Sequence, residues 1–401
     1  IHSRLDYFLV QSTMRVASFL RMPTEALSGL LCLALAISYV DGGRLGVQGT
    51  HFVKDGHRVF LSGTNQAWVN YAHDFGNHQY QHAKQKYEQT LQEIQAAGGN
   101  SIRVWVHIEG ESTPLFDGGG LVTGTDQAHN LINEMKEYLT AAQHHQILVF
   151  FTLWNAAVNQ QTHARLDGLI RDTRKLESYI KNALIPMVNG LKDHPGLGGW
   201  DIINEPEGEL KPGEINSDPC YDTRPLTNSG AGWAGHLYTV QEMQRFINWQ
   251  ADAIKRADPH AMVTVGSWNT KANTDKFGFH NYWKDTCLVK AGGGTKHLGT
   301  LTFYQVHTYS DSANHFDGVS PMQKNAAEFG LDKPVVIGEF NQDHGGGMNI
   351  HQLFEHSYNG GYAGAWTWSV TDTNWQTQRA GMTAIKGKND QSKGGLVHFS
   401  V

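Results

Sequence analysis

From residue 59 onward, short and nearly continuous apolar runs alternate with longer stretches of helical period. The runs occupy 59–65, 101–106, 147–153, 199–204, 261–268, 302–309, 334–340 and 361–370. Each is rich in Val, Ile, Phe or Trp and too short for a buried helix, so each predicts a strand covered on both faces. Between them, 83–97, 127–145, 172–192, 236–257 and 320–330 carry helical patterning. Ala97-Gly98-Gly99-Asn100 and Asp258-Pro259 read as helix stops. Eight strands alternating with helices predict a single (β/α)8 barrel, of the TIM type, in the α/β class. Ahead of it, 47–53 and 58–61 flank Lys54-Asp55-Gly56-His57. Asp-Gly at that place predicts a β-hairpin. The last 30 residues show no clear helical period, which leaves the presence of an eighth helix open. Long Gly- and Pro-rich segments follow the fourth, fifth, seventh and eighth runs, at 206–235, 269–300, 341–350 and 371–395. In a barrel these are loops at the C-terminal face, where sites are built.

The first 43 residues follow a different pattern. Residues 26–40 are uncharged and apolar, Arg15 and Arg21 precede them, and Asp41-Gly42-Gly43 follow. This is the layout of a secretory signal peptide, and the run is short for a membrane span; a buried helix or an uncleaved anchor is the other reading. The expected division is therefore 1–43 as leader and signal peptide, and 44–401 as the barrel domain. A secreted chain retains Cys220 and Cys287 once Cys32 is removed, and an even count in that setting predicts a disulfide. Two free thiols are the alternative. Both cysteines fall in loop-like sequence.

Composition narrows the function classes. The chain has 401 residues, 40% apolar and 17% charged, which is globular rather than disordered. Its net charge is −6 and no dense basic run occurs, so nucleic acid is not an expected partner. The 22 histidines include His78-x3-His82 and His144-His145. Neither comes with a carboxylate at ligand spacing, so no metal site or cofactor is expected.

The chemistry lies at the ends of the apolar runs. The fourth ends in Asn204-Glu205-Pro206 and the seventh in Gly338-Glu339-Phe340. Two strand-end carboxylates at one barrel mouth are the minimum for cleaving a glycosidic bond. Arg103, Trp154, Trp268, His307, Tyr309 and the pair Trp366 and Trp368 also lie on or near strand ends. A Glu at such a position can equally anchor a salt bridge. Arg103 can be a structural ion pair, and Trp366 or Trp368 plain core.

Ile203-Asn204-Glu205-Pro206, Ile337-Gly338-Glu339-Phe340, Ser101-Ile102-Arg103-Val104-Trp105 and Val306-His307-Thr308-Tyr309, in that placement, resemble glycoside hydrolase family 5. The resemblance covers 45–370, and the stretch 199–209 is most similar to secreted invertebrate β-mannanases. It implies a retaining endo-β-1,4-mannanase acting on mannan, glucomannan or galactomannan, with Glu205 as acid/base and Glu339 as nucleophile. By the same resemblance Arg103 and Tyr309 hold Glu339 ionised, Asn204 meets the sugar 2-hydroxyl, His307 orients Glu205, and Trp366 floors the sugar at the cleavage point. Trp154, Trp268 and Trp68 are candidates for flanking subsites, and His344 for a substrate contact. No cofactor is implied. The expected partner is a β-mannan polysaccharide, met outside the cell by a monomer that does not engage a membrane. An endo-β-1,4-glucanase of the same family, or a non-catalytic carbohydrate-binding barrel, are the alternatives.

Overall fold

The computed structural model describes residues 43–156, 162–310 and 315–401. The leader and signal-peptide expectation, with Cys32, lies outside the described residues apart from Gly43. No described helix is long and apolar enough to cross a membrane.

Eight parallel strands close into a barrel. They are β1 (Leu61–Asn65), β2 (Ser101–Ile108), β3 (Leu148–Asn155), β4 (Leu197–Asn204), β5 (Val263–Ser267), β6 (Tyr304–His307), β7 (Val335–Glu339) and β8 (Gly364–Thr367). All eight apolar runs of the sequence contribute one strand each. Alternation along β2 shows how the layers form. Ile102, Val104 and Val106 face the surrounding helices as part of the large core, while Arg103 points inward to Asp201. At the N-terminal end the barrel is plugged by Leu61, Leu148, Phe150, Phe303, Val336 and Trp366, beneath Leu45, Phe52 and Val59 of the entering chain.

Regular register breaks at several places around the barrel, and the break between β4 and β5 shapes the site. Along the β4–β5 pair, Thr264 opposes Asp201 but Gly266 opposes Asn204, so β4 holds one extra residue. A bulge of this kind turns successive side chains to the same side. Asp201 and Asn204, three apart, both reach Arg103 inside the barrel, while Ile202 and Ile203 both join the helix-side core.

The entering segment differs from expectation. Residues 47–53 are not one strand: Gly46–Gln48 folds back on His51–Lys54 through Gly49-Thr50, and the Asp55-Gly56 turn then leads to His57–Val59. Asp55 and Gly56 both have positive φ, 51° and 78°, as a type I′ hairpin turn requires. Asn389–Asp390 and Gly395–Leu396 complete this five-stranded sheet.

Two helix expectations are corrected and an open one is answered. Residues 320–330 hold only a 3-10 turn, Ala326–Phe329, closed by an Asn325/Glu328 capping box. Residues 172–192 are interrupted by a π turn, Ile180–Leu184, just before Pro186, whose missing N–H cannot bond the preceding turn. The C-terminal region does contain a helix, Trp375–Ile385, capped by Asn374. Its buried positions are Gln378, Gly381, Met382 and Ile385, a helical spacing carried half by non-apolar residues. Gly381 is needed there because a Cβ would come within 2.2 Å of Phe354. The two predicted helix stops agree with the structure: Gly98 caps Tyr80–Ala97 in the left-handed conformation, and Val240–Ala257 ends at Asp258.

Cys220 and Cys287 are joined by a disulfide. It ties the loop after β4 to the helix Asp285–Ala291 after β5, so Cys287 is helical rather than in a loop.

Candidate active site

The strand ends converge on one buried guanidinium. Arg103, on β2, is fully buried and its hydrogen bonds are spread over three other strands. Its Nε donates to Asp201 Oδ2 at 2.7 Å, and Nη2 to Asn204 Oδ1 at 2.8 Å. Nη1 donates to Glu339 Oε1 at 2.8 Å and to Asn65 Oδ1 at 3.1 Å. The desolvation of such a charge is costly unless partners replace water, and here they do so around the whole plane. Gly266 is required beside it, since a Cβ there would lie 2.5 Å from Arg103 Nη2 and 3.1 Å from His307 Nε2.

Glu205 and Glu339 face one another across this cluster, with carboxylate oxygens within 4.8 Å. Glu339 Oε2 also accepts from the Tyr309 hydroxyl at 2.9 Å. His307 is fully buried, with Nδ1 2.9 Å from Glu205 Oε1 and 3.4 Å from Glu339 Oε2. Position between two carboxylates favours the proton on Nδ1. Glu205 has a left-handed backbone, φ 45° and ψ 53°, directly before Pro206, and its N–H donates to Gly266 O at 2.6 Å. For a non-glycine residue that conformation costs about 1–3 kcal/mol and marks a chain turned sharply to aim one side chain.

Protonation follows from these surroundings. Burial raises the Glu205 carboxyl to about 7 against the opposing pull of Arg103. Burial also raises Glu339, with Glu205 adding to the shift and His307, Arg103 and Tyr309 opposing it. Burial lowers His307 to about 4, so its imidazole is neutral near pH 7. One acidic and one ionisable carboxyl, a few ångströms apart, can divide proton donation and nucleophilic attack between them. Glu205, His307 and Glu339 are also close enough to share a cation. Arg103 and Tyr309 already donate to the two oxygens of Glu339, and the positive guanidinium beside them opposes a second cation. The other close group, Cys220, His280 and Cys287, has its sulfurs consumed by the disulfide. His78 and His145 bond to Asn130 and Gln95 rather than to carboxylates.

The aromatic residues sort differently from expectation. Trp366 does not floor the site: it is fully buried in the N-terminal plug, its ring tilted against Phe150 at 4.7 Å, with Nε1 donating to Ser101 Oγ. The residue at the mouth is Trp368, two positions on and therefore on the same face, about 6.6 Å further along the strand. It is partly exposed, and its ring meets Trp105 at 5.6 Å. Trp154 does not line the cleft either. The broken alternation turns it toward the helices, where it packs on Tyr179 and Phe246 and donates to Gln250. Trp68 and Trp268 are both partly exposed. Trp68 packs edge-on to Tyr71 and Trp105. Trp268 lies 5.6 Å from the exposed ring of Trp233. Trp233 sits in the loop after β4, and no strand-end pattern pointed to it. His344 is exposed, its ring 6.2 Å from that of Tyr309.

Comparison with known proteins agrees with this geometry. The pattern described as Cellulase (glycosyl hydrolase family 5) matches residues 55–381. The chain is 60% identical to the mannan endo-1,4-beta-mannosidase of Mytilus edulis, over 93% of this chain and all of the relative. It is 42% identical to the mannan endo-1,4-beta-mannosidase of Cryptopygus antarcticus, over 93% and 98% of the two chains. The solved beta-mannanase of blue mussel superposes with a TM-score of 0.87, at 60% identity, over 90% of this chain and all of that one. The beta-1,4-mannanase of the sea hare Aplysia kurodai gives 0.86 at 50% identity, over 89% and 100%. The barrel, its two strand-end glutamates and these similarities lead to one conclusion: the chain belongs to glycosyl hydrolase family 5.

Proposed function

We propose that this chain is a retaining endo-β-1,4-mannanase that cleaves internal bonds of mannan-type polysaccharides. The observation that carries the mechanism is the spacing of Glu205 and Glu339, whose oxygens lie within 4.8 Å. Retaining enzymes hold their carboxyl groups about 5–5.5 Å apart, whereas inverting ones leave about 6.5–9.5 Å for a water. Glu339 attacks the anomeric carbon while Glu205 gives its proton to the leaving oxygen. A glycosyl–Glu339 ester results, and Glu205 then takes a proton from the water that hydrolyses it. The Glu339 carboxylate is held for attack by Arg103 and Tyr309, donors fixed before substrate arrives. His307 orients Glu205, and Asn204, anchored on Arg103, presents its amide to the sugar 2-hydroxyl. Trp368 takes the floor position, with Trp68, Trp268 and His344 flanking it.

The mannan assignment is supported by the names of the relatives at 60% and 42% identity. Secretion from a leader over 1–43, leaving 44–401 as the catalytic domain, belongs to the same reading. The apolar run at 26–40 and the Cys220–Cys287 bond support it.

The test is incubation with locust bean gum, konjac glucomannan and carboxymethyl cellulose, following reducing ends and the anomer first formed. Release from both mannans with β-anomer retained is the expected result. Release from carboxymethyl cellulose but from neither mannan would overturn the substrate, and an α-anomer first would overturn the mechanism.

A further inference from the structure

We infer that Trp105 is a positioning residue that, through the face of its indole, holds the Arg103 guanidinium against Glu339 and joins it mechanically to the sugar platform at Trp368. The inference rests on the reading of Glu339 as the nucleophile. The in-plane hydrogen bonds of Arg103 to Asp201, Asn204, Asn65 and Glu339 fix where its edges point. They resist tilting out of the plane only weakly, because a hydrogen bond tolerates some misalignment. The face is covered by Trp105, whose ring centroid lies 4.1 Å from Arg103 Cζ. In a desolvated site such a contact is at its strongest, and indole is the best of the aromatic faces.

Trp105 is 2% exposed, and its indole N–H meets no hydrogen-bond acceptor among the described residues. Its face serves Arg103, and its edges meet Trp368 at 5.6 Å and Trp68 at 6.5 Å, both near-perpendicular. The backbone is fixed as well, with Trp105 N–H donating to Ala67 O at 3.1 Å. One side chain thus touches the cation that sets the nucleophile and the two indoles nearest the mouth. A sugar settling on Trp368 presses on the ring that backs Arg103, so substrate seating and the Arg103–Glu339 contact are coupled.

The expected signature is in the acidic limb of kcat/KM, which reports ionisation of Glu339. The groups that face Glu339 are Arg103 from β2, His307 and Tyr309 from β6, and Glu205 after β4. Weakening the indole face lets Arg103 tilt away from Glu339, so the carboxylate is less stabilised and the limb moves to higher pH. The series Trp105→Tyr, Trp105→Phe and Trp105→Met removes the face in steps while keeping an apolar filler. The limb should rise in that order, by about half a pH unit at Met, and kcat should fall roughly tenfold with a smaller change in KM. Any two folded members fix the order. Should the substituted chains not fold, multiply fluorinated tryptophan placed at 105 alone drains the face while keeping the shape, and must shift the limb in the same direction. An unchanged limb across folded variants, with activity merely tracking melting temperature, would show a structural role and overturn the inference. A limb moving downward, as water entering beside Glu339 would cause, overturns it equally. The limb can be read on any β-glycan or aryl glycoside the wild type cleaves, so failure on mannan would sink the proposed substrate without touching this result.

Discussion

At the scale of the residue, two glutamates of the same chemistry receive different surroundings. Glu339 has a guanidinium and a phenol on its two oxygens, while Glu205 meets the neutral imidazole of His307. Replacing either by Gln should therefore reduce turnover on mannan by about 10³-fold or more, with the barrel intact. Aryl glycosides separate the two roles. A good leaving group needs no proton, so Glu205→Gln should still release a burst of phenol equal to the enzyme concentration. Glu339→Gln should give none, and a burst from Glu339→Gln alone would reverse the assignment. Burial sets the pH response. With Glu205 raised to about 7, the protonated acid is present below that pH and lost above it. The alkaline limb of kcat/KM should bend near 7, and Glu205→Gln should abolish that bend; a limb that persists unchanged in the variant would mean another group titrates. Glu205 and Glu339 were legible in sequence because a strand end fixes both place and face. Trp366 was misplaced because Trp366 and Trp368 share a face, and the sequence pattern carries no measure of height within the barrel.

At the scale of the element, the loop after β4 is held by turns and backbone bonds within itself and by a covalent tie outside it. The loop after β4 carries Trp233, and it is tied to the helix Asp285–Ala291 by the Cys220–Cys287 bond, 67 residues apart, and by the Lys290–Asp218 ion pair. Closing a loop of that length restricts the unfolded chain by about 4 kcal/mol in the chain-entropy account. Cys220→Ser with Cys287→Ser should lower the melting temperature by several degrees. It should also raise KM more than it lowers kcat, because the loop stands above the cleft while Glu205 and Glu339 sit on rigid strand ends. Equal loss in kcat at unchanged KM would argue that the bond supports the chemistry itself. The elements the sequence concealed share a physical cause. The helix Trp375–Ile385 buries Gln378 and Gly381, so its period is invisible to a hydrophobicity reading. The 47–53 run looked like one strand because Gly49-Thr50 reads as a mild interruption, whereas Gly49 has φ 58° and reverses the chain. Trp154 looked like a cleft residue because strict alternation would send it inward with Thr152; instead it lies opposite Ile203, and both join the helix-side core.

At the scale of the whole molecule, the barrel buries acids that the proposed reaction does not use. Glu209 is fully buried and raised to about 9, first by burial and then by the nearby charge of Glu109. An unfolded glutamate titrates near 4.5. A carboxyl raised on folding binds its proton more tightly in the folded state. Its contribution to stability is therefore full below about 4.5 and is lost as pH rises toward 9, at about 1.4 kcal/mol per pH unit. Glu209→Gln, which mimics the neutral acid, should flatten the fall in melting temperature between pH 5 and 9. An identical slope in the variant would show that Glu209 ionises freely in the fold. The sequence by itself determined the barrel, the order of its strands and the two glutamates at its mouth, because strand period, turn residues and strand-end position are local properties. Only the tertiary structure decided which tryptophans reach the cleft, which inward positions the bulge creates, and how Arg103, Tyr309 and His307 give two like carboxyls unequal surroundings. Those depend on distances between segments from 30 to more than 200 residues apart, and on the water that their packing excludes.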